Sequence, residues 1–297
     1  MLSRLVPFFP VVFVLLWSTG FIGARYSMPH AEPFTFLSLR YALALAILLP
    51  IVWLFRAAWP GRRAAFHAMV AGSLIHGAYL GGVFVAVRHG LPAGIASLIV
   101  GLQPVATAVL AASFLSERVT PRHWIGLGLG LLGVCLVVVP KLDGDPAFSW
   151  ITLAPAFLAM AGISVGTIWQ KRFVGGVDLK TGTVLQYVGA LVPSLALALL
   201  FEERRIEWTG EFLFALVWLT LVLSIGAIFL LLFMIREGAV SKVASLMYLT
   251  PGVTAVMAYL LFGETLTLLQ LAGLALAGIG VAAAMRTPAR RKAPAGI

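Results

Sequence analysis

The sequence predicts an all-α membrane protein of ten transmembrane helices, arranged as two inverted five-helix repeats. Three observations carry that reading: composition, the spacing of apolar runs, and an internal echo. Of 297 residues 61% are apolar and 11% charged, against roughly 25% charged in an ordinary soluble domain. Such a chain has too little polar surface to coat a water-soluble globule of its size. The hydrocarbon core of a bilayer is about 30 Å thick and takes ~20 mostly apolar helical residues to cross. Stretches of that kind recur almost end to end.

In chain order the runs fall at roughly 5–24, 34–55, 68–87, 93–115, 124–140, 151–169, 181–201, 212–235, 243–262 and 268–285. Arg4 ahead of the first run imitates a signal peptide, but a second run follows at once, so the first reads as a retained span. Turn chemistry separates the runs: Pro29, Pro33, Pro60-Gly61, Gly90-Leu91-Pro92, Thr120-Pro121, Asp143-Gly144-Asp145-Pro146 and Gly175-Gly176. None of the connections is long enough to hold a soluble domain. The division is a first repeat over 1–145, a second over 146–286, and a basic cytoplasmic tail over 287–297 with Arg290, Arg291 and Lys292.

The formal net charge is +10, a balance that in a soluble chain suggests nucleic acid. Here the basic residues sit in breaks between apolar runs, without a cluster interleaved with aromatics. That argues against nucleic acid and for the positive-inside rule and anionic lipid headgroups. With the N-terminus inside, the inner breaks hold Arg4, Arg56, Arg62, Arg63, Arg118, Arg122, Lys171, Arg172, Lys180, Arg236, Lys242, Arg286, Arg290, Arg291 and Lys292. The outer ones hold only Arg25, Arg88, Lys141, Arg204 and Arg205. The bias puts both termini in the cytoplasm of a bacterial inner membrane. Cys135 is the single cysteine, which excludes an intrachain disulfide and a multi-cysteine metal site.

The second half echoes the first. Gly90, Ser97, Pro104, Glu117, Gly126 and Gly133 recur as Gly238, Ser245, Pro251, Glu264, Gly273 and Gly280, at offsets of 148 and then 147 residues. Ser18, Gly20, Arg25 and Arg40-Tyr41 likewise recur as Ser164, Gly166, Lys171 and Gln186-Tyr187. Five spans per repeat is an odd number, so the second copy enters the membrane from the opposite side. Many secondary transporters share this inverted arrangement.

These residues resemble the EamA family of the drug/metabolite transporter superfamily over essentially the whole chain. The resemblance rests on Trp17-Ser18, Arg40-Tyr41, Gln103-Pro104, Leu115-Ser116-Glu117 with Thr120, and the glycines from Gly126 to Gly133. It rests equally on their echoes at Pro251, Gly263-Glu264 and Gly273 to Gly280. It implies a pseudosymmetric bundle around a central cavity, which is lined mainly by spans 1, 3, 4, 6, 8 and 9, with spans 5 and 10 set back. It also implies export of amino acids or other metabolites.

Two soluble-enzyme motifs are refused. Gly128-Leu129-Gly130-Leu131-Leu132-Gly133 matches G-x-G-x-x-G, which needs a preceding strand and a helix opening at the glycines. It lies inside an apolar run, where small residues serve close helix approach, as in Gly126-x-x-x-Gly130. Gly162-Ile163-Ser164-Val165-Gly166 matches G-x-S-x-G, whose serine needs a strand-turn-helix elbow. It too lies mid-span and reads as packing or a cavity serine. No P-loop pattern is present, so transport would draw on gradients or on a separate partner.

Candidate site residues follow from cost. Arg40 lies within a span, where even a translocon scale charges ~2.5–3.5 kcal/mol for a cation. Snorkelling or pairing with helix-end carbonyls would offset this, as would contact with an anionic substrate. Its echo, Gln186, is neutral. Glu117 and Glu264 close spans 4 and 9, as anchors or as gates, and Thr120 and Thr265 or Thr267 can cap the helices that follow. His76 and Tyr79 share one helical face, and because histidine as a residue type titrates near neutrality, His76 is the best single candidate for pH sensitivity and so for proton coupling. Trp17, Gln103, Trp169 and Tyr248 complete the expected cavity, an interfacial aromatic belt being the competing reading of Trp169. Pro104 and Pro251 are expected hinges, since proline frees a carbonyl and bends a helix.

The sequence therefore reads as a non-enzymatic secondary exporter, with neither cofactor nor metal and with no nucleic-acid partner. Its partners are a small-molecule substrate and the lipid bilayer, and nothing in the chain sets an oligomeric state. An aromatic or branched amino acid is the preferred substrate. A drug cation, nucleoside or sugar, or a non-catalytic channel or assembly role, are the competing readings. Within the spans only His76 and no acid appears, so a catalytic set is lacking.

Overall fold

The computed structural model describes residues 9–115, 120–141, 145–226, 230 and 247–285. Among these the protein is helical nearly throughout; the β-type contact is one isolated antiparallel bridge between Ala31 and Ile206. The helices are α1 (Phe9–Ser27), α2 (Pro33–Leu54), α3 (Arg62–Arg88), α4 (Ala93–Val100, resumed as Gln103–Leu115) and α5 (Pro121–Val138). Then come α6 (Trp150–Phe173), α7 (Leu179–Phe201), α8 (Gly210–Gly226), α9 (Thr250–Phe262) and α10 (Leu268–Met285). Six of them, α2 to α7, are long and apolar enough to cross a membrane, and four shorter apolar helices accompany them. The protein is thus an all-α, multi-pass membrane protein.

The helix boundaries have local causes. Pro33 and Pro121 stand in the first turns of α2 and α5, where a missing N–H costs nothing. The Thr120 N–H donates to His123 Nδ1 at 3.2 Å. Thr267 rather than Thr265 caps α10: its Oγ1 accepts from Gln270 N at 3.2 Å while its own N–H donates to Gln270 Oε1 at 3.0 Å. Gly263, at φ +66, ends α9 in the left-handed conformation that suits glycine.

Two helices are locally widened. In α3 residues Ser73–Ala78 form a π turn, and in α8 residues Trp218–Gly226 do the same. Moving the first by the 147-residue offset of the echo lands on the second. Such turns leave carbonyls without their usual helical partners and often mark functional positions.

Packing partners recur at a shift of five helices. α3 packs on α6 as α8 packs on α1, α4 on α6 as α9 on α1, and α3 on α7 as α8 on α2. α2 meets α7, α4 meets α9, and α5 meets α10. The α5–α10 contact explains the glycines. A Cβ on Gly126 would lie 2.6 Å from Gly280 O and from Ala284 Cβ, and one on Gly280 would lie 2.8 Å from Gly126 O. Gly133 and Gly273 meet each other the same way, while Gly130 accommodates Leu102 of α4. Gly128 meets nothing and faces outward. The nucleotide-like pattern is therefore a helix-crossing surface. In α6, Gly162 and Gly166 press on residues 74–79 of α3, and Ser164 between them is buried with no hydrogen-bond partner among the described residues.

Candidate functional site

A cavity of about 270 Å³ lies between α1, α2, α3, α6, α7 and α8. Its aromatic wall comes from Phe13, Trp17 and Phe21, one stripe at four-residue spacing on α1, with Tyr79 and Phe84 on α3. Its polar groups are Arg40, His76, Gln170, Thr183, Gln186 and, near the α6–α7 connection, Asp178. A second cavity of about 330 Å³ adjoins it and shares Trp17 and Phe21. Residues of the interrupted α4 stretch (Ser97, Val100, Gly101, Gln103, Pro104 and Thr107), Ile163 of α6, and Met247 and Thr250 complete its lining. Apolar walls with a few converging polar groups are the ordinary make-up of a small-molecule site.

The two π turns organise the polar groups. Tyr41 OH donates to His76 O at 2.8 Å in the α3 turn, and Tyr187 OH donates to Ser224 O at 3.4 Å in the α8 turn. The side chains one residue earlier cross to the opposite turns. Arg40 donates to Ser224 Oγ through Nε at 3.2 Å and Nη2 at 3.0 Å, and Gln186 bonds the His76 side chain. The rings of Tyr41, Tyr187 and His76 pack together, with His76 and Tyr187 centroids 4.8 Å apart. Echoed residues thus make echoed contacts, with one difference: the first half contributes a cation and the second a neutral amide.

One end of the bundle is tied shut. His30 lies between Glu207 (3.3 Å) and Glu211 (3.1 Å), and the Glu207 N–H donates to His30 O at 2.8 Å. Arg204 N donates to Glu32 Oε2 at 2.7 Å, and Arg88 donates to Met28 O at 2.7 Å. Glu202 accepts from Phe34 N, Thr35 N and Thr35 Oγ1 at 2.7–2.8 Å, which caps α2 from a distant loop. Glu264 pairs with Arg25 at 3.4 Å and accepts the backbone N–H groups of Ala93 and Gly94. The first cavity extends toward the opposite end, where Val177, Asp178 and Thr183 are partly exposed.

The expected site residues distribute as follows. Trp17, Arg40, His76 and Tyr79 line the first cavity, and Trp17, Gln103 and Pro104 line the second. Trp169 lines neither. It packs on His67 (5.6 Å) and Phe173 (4.7 Å), and the cavity receives its neighbour Gln170 instead. One residue is a rotation of about 100° in an α-helix, enough to exchange inside for outside. Pro104 and Pro251 each stand in the first turn of an α-helical segment following an interruption, the turn at residues 101–102 and the 3-10 turn Met247–Leu249. Tyr248 belongs to that turn, but its side chain lies outside the described residues, as does Glu117. Glu264 lies at the closed end rather than in a cavity. Gln186, Gln170, Phe13 and Phe21 were not expected. Gln186 was visible as the echo of Arg40, and Phe13 and Phe21 as a stripe with Trp17. Helix α2 therefore contributes through the long side chain of Arg40, and α7 lines the cavity directly with Leu179, Gly182, Thr183 and Gln186.

The model of the EamA-like transporter family matches the chain twice, over residues 6–139 and 149–286. A probable amino-acid metabolite efflux pump of Salmonella typhimurium is 28% identical over 293 residues, covering 94% of each chain. An uncharacterized inner membrane transporter of Escherichia coli is 24% identical, covering 90% of this chain and 87% of that one. A solved crystal structure, 20% identical, superposes with a TM-score of 0.64 over 97% of this chain and 99% of that one, and so shares the fold. Among the described residues no group of three or more His, Cys, Asp or Glu could hold a metal. The chain belongs to the EamA-like transporter family and is a multi-pass membrane transporter of small molecules rather than an enzyme.

Proposed function

We propose that the protein exports a small organic metabolite across a bacterial inner membrane, preferably an aromatic or branched amino acid, by alternating access. The observation that carries this reading is the aromatic-walled cavity with a polar floor, tied shut beyond one end and reaching the other. In this reading the halves 1–145 and 146–286 are inverted repeats that rock about the site, both termini are cytoplasmic, and the tied end is periplasmic. The residue echo, the paired packing of helices five apart and the two-fold family match support the repeat. The name of the Salmonella relative supports the substrate class. Trp17 and Tyr79 hold apolar substrate parts, and His76 and Gln103 orient polar ones. Pro104 and Pro251, at helix interruptions, serve as hinges, and Glu264 with Arg25 serves as a gate.

Purified protein in proteoliposomes tests this. Internal L-phenylalanine or L-leucine is expected to accelerate uptake of the labelled amino acid, with saturation. Linear flux without saturation would replace the carrier by a pore. Counterflow with a nucleoside, sugar or cation, and none with amino acids, would replace the substrate class.

A further inference from the structure

We infer that Arg40 is the docking point for a carboxylate on the transported molecule, so that the first cavity takes anionic or zwitterionic carboxylates in preference to amines. The inference deepens the transporter reading above and rests on its cavity. Arg40 is 5% exposed and lines that cavity. A guanidinium has five N–H donors and no acceptor. Two hydrogen bonds, both to the Ser224 hydroxyl, are what it makes among the described residues, and it forms no ion pair there. That hydroxyl gives its own hydrogen to Leu219 O at 2.9 Å, so it supplies an oriented dipole and no negative charge. Asp178, the acid on the same cavity wall, caps α7 through the N–H groups of Lys180 and Thr181 and pairs with the Lys180 side chain at 3.6 Å.

Neither snorkelling nor carbonyl pairing accounts for this cation within its span. A snorkelling side chain keeps its head in water, whereas this one is enclosed. Pairing with helix-end carbonyls is absent among the described residues, since both bonds go to a side-chain hydroxyl in the π stretch of α8. The echoed position, Gln186, builds the matching cross-contact to the α3 turn without charge. Charge is therefore not what joins the halves; it answers something that occupies one side of the site. A buried cation without a counter-charge is costly, and an entering carboxylate supplies bidentate, charge-assisted bonds. The aromatic wall of Phe13, Trp17, Phe21 and Tyr79 beside it suits an apolar body attached to that carboxylate.

The test uses three probes that share one ring: L-phenylalanine, phenylacetate and phenethylamine, with binding measured on detergent-purified full-length protein. The native protein is expected to bind the two carboxylates at least about 10-fold more tightly than the amine. Arg40→Gln is expected to lose roughly 10- to 100-fold for the carboxylates and nothing for the amine. Arg40→Lys is expected to keep part of the preference. Should Arg40→Gln fail to fold, Arg40→Lys decides: a folded lysine variant with no residual carboxylate preference overturns the inference. So does a native preference for the amine, or equal weakening of all three probes by Arg40→Gln, which would make Arg40 a structural strut. Arg40-dependent phenylacetate binding without amino-acid counterflow would sink the amino-acid reading while supporting this one. Amino-acid counterflow untouched by Arg40→Gln would do the reverse.

Discussion

Gly126→Ala places one methyl group into the α5–α10 crossing, and its cost can be worked from the contact. The new Cβ would sit 2.6 Å from both Gly280 O and Ala284 Cβ, and ordinary van der Waals contact begins at 3.4 Å. The partners are backbone and a short side chain, which have no rotamer to retreat into, so the helices must separate by about 0.8 Å. Overpacking of that kind costs roughly 1–3 kcal/mol. The control is Gly128→Ala, two residues along the same helix, where the added Cβ meets nothing within 4 Å. There the substitution keeps only the helix-propensity gain, up to about 1 kcal/mol. Thermal melting of the two variants in the same detergent should place Gly126→Ala below the native protein and Gly128→Ala at or above it. Equal melting temperatures would refute the assignment of these glycines to close packing.

Two further outcomes follow from the tied end. Glu202→Ala removes the three bonds that cap α2 from 167 and 168 residues away, and should cost about 1–2 kcal/mol in melting experiments, with Glu203→Ala, an exposed residue paired with exposed Arg205, as the near-neutral control. Glu264 gives a pH dependence. Burial pushes its carboxyl above the ordinary value of 4.5, with Arg25 and the Ala93 and Gly94 amides pulling the other way. A raised acid favours its protonated form in the folded state, so its contribution is complete below the ordinary value and is lost as pH rises through the folded one. The melting-temperature difference between native protein and Glu264→Gln should therefore shift against the native protein as pH rises from about 4. A difference that moves in the other direction would mean that the Arg25 pair, rather than burial, dominates.

The helices, several of their caps and an internal echo were legible because each is written in the order of residues along the chain. Pro33, Thr120-Pro121 and Thr267 mark starts by hydrogen-bond chemistry within a turn, and the 147-residue echo is visible as spacing alone. Even the glycines of α5 could be assigned to packing, since a nucleotide loop needs a strand that an apolar run does not provide. Which residues face the cavity was legible only in part. Trp17, His76 and Tyr79 line it, but Trp169 does not and Gln170 does.

The reason lies in the solvent. A helix in water advertises its buried face by alternating apolar and polar residues, whereas a helix in lipid is apolar all round and carries little such signal. Its rotation is set by neighbours from elsewhere in the chain. By itself the sequence determined a membrane bundle, its helix ends and its two-fold echo. Only the tertiary structure decided that Arg40 meets Ser224, 184 residues away, that Glu202 caps a helix in the other half, and that one end is tied by His30 and Glu264. Those contacts join residues that no local periodicity relates. Of these, the Arg40 contact uses the widened turn of α8, and the others join loops and helix ends.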